Sequence, residues 1–378
     1  MERNDMSIKD FVDTVKEHLF DDRPDMAETH RVDVNEVLKN NGMLLHGLTI
    51  REEGESIAPT IYLEKFFDEF KEGSPLSEIA DRIIGVYEDH RSPQNIAVGF
   101  FTDFEQCKDR LAMKVVNADK NTEMLAGMPH YKFGDLAAIF QVQVDSNEFG
   151  NAVITVKDEH MKMWGVDTKT LMEYAKANME EKQPVRIQSM MEVLSEMMGG
   201  MPDEMLPGGD SPQMYVMSNE TKINGAAAMI FTEKLDEFAQ NHGANLFILP
   251  SSVHEILLIP DNGNMSVPEL EAMVRDVNAT QVAPDEVLSD NVYLYDKDAK
   301  SLYIAATNEP CVLESDGKDF SKPDKEVKAE KVKAAKEDKP LREAGSIKEK
   351  LAEGKEKASK TPEIPKDAIS KDKGRTIE

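Results

Sequence analysis

The chain has 378 residues, is 40% hydrophobic and 31% charged, and carries a net charge of −27. From Ser315 onward there are 18 basic and 15 acidic side chains, which leaves −30 on the preceding body. A body that acidic repels phosphate backbones and argues against a nucleic-acid reader. The N-terminus is interrupted by charge every few residues, so no secretory signal is expected, and no apolar run approaches the roughly 18 residues of a membrane span. Two isolated cysteines, Cys107 and Cys311, form no CxxC and imply no disulfide framework. Together these features read as a cytoplasmic protein.

In chain order, Ser7 with Asp10 reads as a helix N-cap, followed by Ile8, Phe11, Val12, Val15 and Leu19 at helical spacing. Val32, Val34 and Val37 precede Asn40-Asn41-Gly42, and Leu44, Leu45, Leu48 and Ile50 follow. Asn-Gly supplies the positive φ of a tight turn, so a β-hairpin is predicted. Leu63, Phe66, Phe67 and Phe70 form a helical face ended by Gly73, and Ile79, Ile83 and Tyr87 belong to a second helix. Thr102 with Glu105 is a possible capping box for a short helix around Cys107. Leu111 to Val116, Leu136 to Val144 and Ala152 to Val156 read as strands. Thr155 with Asp158 is a candidate cap for a helix ending at Gly165, and Asp167 opens the next. Trp164 at that junction fits core packing better than ligand stacking.

The methionine-rich stretch from Met190 to Met205 and the Gly/Pro cluster after it mark a linker and a domain boundary. Clustered methionines can form an adaptable binding face or simply end a helix against a core. Beyond the linker come a strand at Tyr215–Met217, a close-packed Gly225-Ala-Ala-Ala, and a helix from Thr232 to Gly243. Two β-rich runs follow, Leu246–Leu249 and Ile256–Ile259, then a helix capped by Ser266 with Glu269 and a hairpin across Asp296–Lys300. The expected fold is α+β: two mixed lobes with largely antiparallel sheets and a disordered charged tail. The predicted divisions are an N-terminal domain over 1–200, a linker over 201–213, a second domain over 214–312, and a Lys/Glu-rich tail over 313–378. That tail has too little apolar surface to offset chain entropy. It is solubilising or tethering, or docks a partner around Ile347 and Leu351.

One stretch gathers groups capable of chemistry: Ser251, Ser252, His254 and Glu255, between two apolar runs. Nucleophilic catalysis needs hydroxyl, imidazole and carboxylate to converge. Adjacent residues on a strand face opposite ways, which sets His254 and Glu255 apart. There is no G-x-S-x-G elbow and no second histidine of HExxH. The structural reading is that the serines hold a turn around a half-buried His254. Asn219, Glu220 and Asn224, with Thr221, are candidate binding residues if their loop folds beside that turn. Asp296-x-Asp298 lacks the rest of a calcium loop. Cys107 has no histidine at a partner position. No metal or cofactor is implied.

Six blocks carry a resemblance: TIREEGESIAPTIYLEKFF, TDFEQCKDRL, MKMWGVDTKTLMEYAKANM, YVMSNETKINGAAAM, LFILPSSVHEILLIP and VNATQVAPDEVLSDNVYLYD. In this order they resemble a family of uncharacterised proteins, a domain of unknown function, from anaerobic and mainly gut-dwelling Gram-positive bacteria. Genes of that family often lie in or near integrative and conjugative elements. The resemblance covers roughly Ser7 to Thr307 and supplies no activity, cofactor or catalytic residue. WGVDTKTLMEYAKANM is also similar, more loosely, to a second uncharacterised bacterial family. The functional expectation is a non-enzymatic accessory or protein-binding protein whose partner is another protein, with a mobile genetic element as the setting that the resemblance implies. The alternatives are a hydrolase using Ser251 or Ser252 with His254 and Glu255, and an inhibitor or nucleic-acid mimic exploiting the acidic body.

Overall fold

Local signals build the first structural layer. The computed structural model describes residues 3–53, 58–91, 98–147, 150–197, 213–250 and 252–321. Helix α1 (Ile8–His18) begins where Ser7 and Asp10 satisfy each other's backbone N–H in the predicted capping box. Its Phe11, Val12 and Val15 are buried. Strands β1 (His30–Leu38) and β2 (Leu44–Glu52) form the predicted hairpin, with Asn41 and Gly42 at φ 61° and 69°. Strand β3 (Thr60–Tyr62) completes a three-stranded antiparallel sheet. Helices α3 (Glu64–Glu72) and α4 (Leu76–His90) bury Phe66, Phe70, Ile79, Ile83 and Tyr87 with Leu48 and Ile50 of the hairpin. The short α2 (Pro24–Thr29) adds Met26 to this first core.

The second core is larger and holds two sheets. The first has the order β15-β5-β6-β4, with β7 also paired to β6. Its strands are β4 (Leu111–Asn117), β5 (His130–Phe133), β6 (Leu136–Asn147), β7 (Gly150–Thr155) and β15 (Glu314–Ser315). The second has the order β14-β13-β12-β10-β11-β9-β8. Its members are β8 (Val185–Ser189), β9 (Tyr215–Asn219), β10 (Leu246–Leu249), β11 (Ile256–Pro260), β12 (Tyr293–Asp296), β13 (Ser301–Ile304) and β14 (Glu309–Pro310). All pairings in these sheets are antiparallel, so the fold is α+β as expected. Helices α5 (Phe104–Cys107), α6 (Thr122–Ala126), α7 (Asp158–Trp164) and α8 (Thr168–Lys182) accompany the first sheet; α9 (Met190–Met197), α10 (Thr232–His242) and α11 (Val267–Thr280) accompany the second. Among the described residues no helix is long and apolar enough to cross a membrane.

Several local expectations need correction. Asp103 rather than Thr102 caps α5, accepting from the Glu105 amide. Thr155 stays in β7; α7 starts after Lys157, whose N–H donates to His160 Nδ1. Gly165 in the left-handed region and Asp167 play their predicted roles at the ends of α7 and α8. Trp164 packs on the core and donates from Nε1 to Phe101 O at 2.8 Å. Asp296 accepts the amides of Asp298 and Ala299, as a hairpin turn requires.

The boundary expected at 201–213 falls almost wholly outside the described residues, but its two sides are joined. Strand β8 before it pairs with β9 after it from Val185↔Asn219 to Ser189↔Tyr215. One buried cluster runs from Cys107 through Met179, Met217 and Ile248 to Ile304. The buried clusters therefore divide between the segment of Phe11 to Tyr87 and the rest. Asparagines lock those two parts together. Asn40 and Asn41 at the hairpin tip donate to the carbonyls of Asp285, Pro284 and Val287 at 2.7–2.8 Å. Asn121 donates to Asn40 Oδ1 and accepts from the Asn41 amide, each at 2.8 Å.

Asp135, in the β5–β6 turn, ties the two sheets. It accepts from the Tyr293 hydroxyl, from Ser289 Oγ at 2.6 Å and from Asn117 Nδ2 at 3.3 Å. Burial, with the Asp135 charge beside it, pushes the Tyr293 hydroxyl well above its ordinary pKa, so it stays protonated and donates.

The tail begins later than composition implies. Residues 314–321 form a strap: Glu314 and Ser315 pair with Lys132 and Tyr131. Buried Asp316 accepts from Thr168 Oγ1 at 2.7 Å, and Lys318 Nζ donates to Asp158 and Met128 O at 2.8 and 2.9 Å. The Phe320 amide donates to Val166 O. The remainder of the expected tail lies outside the described residues. Removing the strap costs several partly buried, charge-assisted hydrogen bonds, about 2–4 kcal/mol in sum. A chain ending at 321 is expected to melt as the full chain does, and one ending at 313 to melt several degrees lower by calorimetry.

Candidate functional site

The candidate residues meet where β9 ends. Asn219, buried, folds the loop after it around its own side chain. Its Oδ1 accepts from Thr221 Oγ1 and the Ile223 amide, and its Nδ2 donates to Ile223 O at 2.8 Å. Lys222 and Asn224 take left-handed φ values of 56° and 53°. The Asx pattern and the asparagine at 224 are the residue types that tolerate such a backbone. The chain then enters a 3-10 segment, Gly225–Ile230, in which every residue is buried.

Gly225 sits where nothing larger fits. A Cβ there would lie 2.0 Å from Ser218 Oγ, 2.4 Å from His254 O and 2.9 Å from Asn219 N. This close approach presses the 219–225 loop onto the 252–255 turn. Ser218 Oγ donates to His254 O at 2.8 Å, and the Ala226 amide donates to Val253 O at 3.2 Å. The Asn224 amide donates to His254 Nδ1 at 3.3 Å. Since Nδ1 accepts, the imidazole proton is on Nε2, which faces Glu286 Oε1 at 3.3 Å. The loop and the turn are thus brought together as their sequence position allows.

The reactive constellation is arranged differently from a triad. Ser252 Oγ accepts from the backbone amide of His254 at 3.1 Å, and Ser252 bridges to Val287. The carboxylate beside the ring is Glu286, not Glu255. Glu255 is half-buried and makes no hydrogen bond or ion pair with a described residue. Ser251 lies outside the described residues. Glu220 forms an ion pair with Arg186 of β8 at the exposed rim.

In front of the loop lies a cavity of about 180 Å³. Thr221, Ile223 and Asn224 form one wall. The floor is the sheet face carrying Ala112, Gln141, Gln143 and Val153, and the end of α8 contributes Lys182 and Gln183. Asn224 Nδ2 donates to Gln141 Oε1 at 3.3 Å and so fastens the loop to this floor. His254 stands behind Asn224 and does not line the cavity.

Lys114 is the charged group that sequence reasoning passed over. It lies two residues beyond Ala112 on the same face of β4, half-buried, with no hydrogen bond or ion pair to a described residue. Burial and then the Lys39 charge hold its ammonium below the ordinary lysine pKa, against the opposing pull of Asp285 and Glu286. The available signal was a lone cation inside the apolar strand run Leu111–Val116. No group of His, Cys, Asp or Glu among the described residues has a metal-holding arrangement.

Residues 8–297 match the model of a family of unknown function, DUF5688. The chain belongs to that family. The match takes in the first core, most of the second, and the whole of the loop and turn. No functionally curated protein and no solved structure matches the chain.

Two outcomes follow from this geometry. Gly225→Ala is expected to destabilise the protein by about 3 kcal/mol in denaturant unfolding, because backbone and a buried hydroxyl must move. Burial pushes the Cys107 thiol up to about 11 and the Cys311 thiol up to about 12. Both stay protonated at pH 8, so a thiol reagent should label neither rapidly until denaturant is added.

Proposed function

We propose that this chain is a non-enzymatic binding protein whose partner is another protein. The single observation that carries this reading is the engagement of the 252–254 turn. The Ser252 hydroxyl accepts a backbone amide, and the His254 ring accepts the loop amide on one nitrogen and faces Glu286 with the other. Groups held this way stabilise a loop; they do not leave the imidazole free to take a proton from a serine. The cavity in front of the loop is below the 300–1,000 Å³ usual for a drug-sized ligand, so a partner would use it as one part of a wider contact. Exposed Ile223 and Val153 at its edge supply apolar contact area. The acidic body favours a protein over a nucleic acid. An accessory role in a mobile genetic element is the setting that the sequence resemblance supports. The competing hydrolase reading requires Ser251 or Ser252 to attack with His254 as base.

A fluorophosphonate probe with mass-spectrometric mapping separates the two. The expected result is no adduct on Ser251 or Ser252, together with a stoichiometric protein partner co-purifying with the full chain. An adduct that disappears in a folded His254→Gln variant would overturn the proposal.

A further inference from the structure

We infer that the cavity beneath the 221–224 loop receives the C-terminal residue of the protein partner, carboxylate included; this inference rests on the binding reading above. The first ground is charge. The chain has 72 acidic against 45 basic residues, yet among the described residues no Asp or Glu lines this cavity. A carboxylate is repelled by the acidic side chains of such a surface and less so beside a lining of amides and a lysine. Lys182 at the cavity wall brings an ammonium, which donates to Asp109 O and has no carboxylate partner among the described residues.

The second ground is hydrogen bonding. Gln143 and Gln183 are half-buried, and their amides make no hydrogen bond with a described residue. Two amide groups and an ammonium around one small space supply the donors that a carboxylate needs, and the amide oxygens suit the last peptide N–H groups of an incoming chain. The third ground is size and shape. About 180 Å³ accommodates one residue rather than a long segment, and Val153 and Ile223, each 42% exposed, offer an apolar wall for its side chain. Recognition of a terminal carboxylate by such a cradle is an established mode of peptide binding.

The test uses the full chain and two random-sequence peptide pools, one with free C-termini and one amidated. The expected result is retention of free-acid peptides ending in an aliphatic residue, with amidation weakening anisotropy-measured affinity at least tenfold. Gln143→Ala and Gln183→Ala should each weaken it by about tenfold without changing the melting temperature, since neither side-chain amide bonds a described residue. Val153→Glu, an exposed position, should abolish it. Equal retention of amidated peptides, retention of no peptide, or binding of free single amino acids alone would overturn the inference. A co-purifying partner that the Gln143/Gln183 double variant still holds would overturn this inference while the binding function stands. Absence of any partner would remove both.

Discussion

The second core depends on how closely two sheets can approach across one small-residue segment. Gly225 through Phe231 is buried at every position and lies against β4, β9 and β11. Three consecutive alanines permit that approach, and the glycine ahead of them lets the segment lie on β9 and the turn, where a Cβ would come within 2.0 Å of Ser218 Oγ and 2.4 Å of the His254 carbonyl. The loop preceding the segment inherits its place from this contact. So does the turn against which it rests. The position of the candidate site is therefore a consequence of packing first and of its polar bonds second.

Those polar bonds then decide what the site can do. The His254 imidazole joins Asn224 to Glu286, and Asn224 joins the loop to Gln141 on the other sheet. An imidazole used as a bridge fixes the rim of the cavity, in which the side-chain amides of Gln143 and Gln183 bond no described residue. Electrostatics sharpen the contrast. In a strongly acidic chain, the cavity has lysine at its wall and no carboxylate among its described lining residues, while Lys114 lies further along the same strand face. A small cavity with amide and ammonium donors around it is an arrangement suited to recognition.

Much of the fold is legible in the sequence wherever the determinant is local. The Ser7–Asp10 and Ser266–Glu269 capping boxes, the Asn40-Asn41-Gly42 turn and the Gly165 cap all act within a few residues of themselves. Strands β5 and β8 were not legible. His130–Phe133 and Val185–Ser189 are short and polar, and they are strands because distant partners pair with them. The strap at 314–321 is hidden for the same reason: Asp316 and Lys318 resemble the charged chain that follows, yet they bond residues about 150–190 positions away. Gly/Pro density over 201–213 is a local property of composition, which says nothing about whether the residues on either side share one core. At the site, Asn219 and Asn224 were legible as turn-forming residues. Glu286 was not, because its place beside His254 is set by the 284–289 segment folding back on the turn.

The central claim is that His254 holds the loop rather than reacting. Native-state hydrogen exchange at the Asn224 and Ala226 amides tests it most directly, since one donates to the ring and the other to the Val253 carbonyl. The account predicts strong protection at both amides in the wild-type protein, with Asn224 losing its protection in His254→Ala while the strands of the second core keep theirs. Fast exchange at Asn224 in the wild type, or protection unchanged by the substitution, would contradict it.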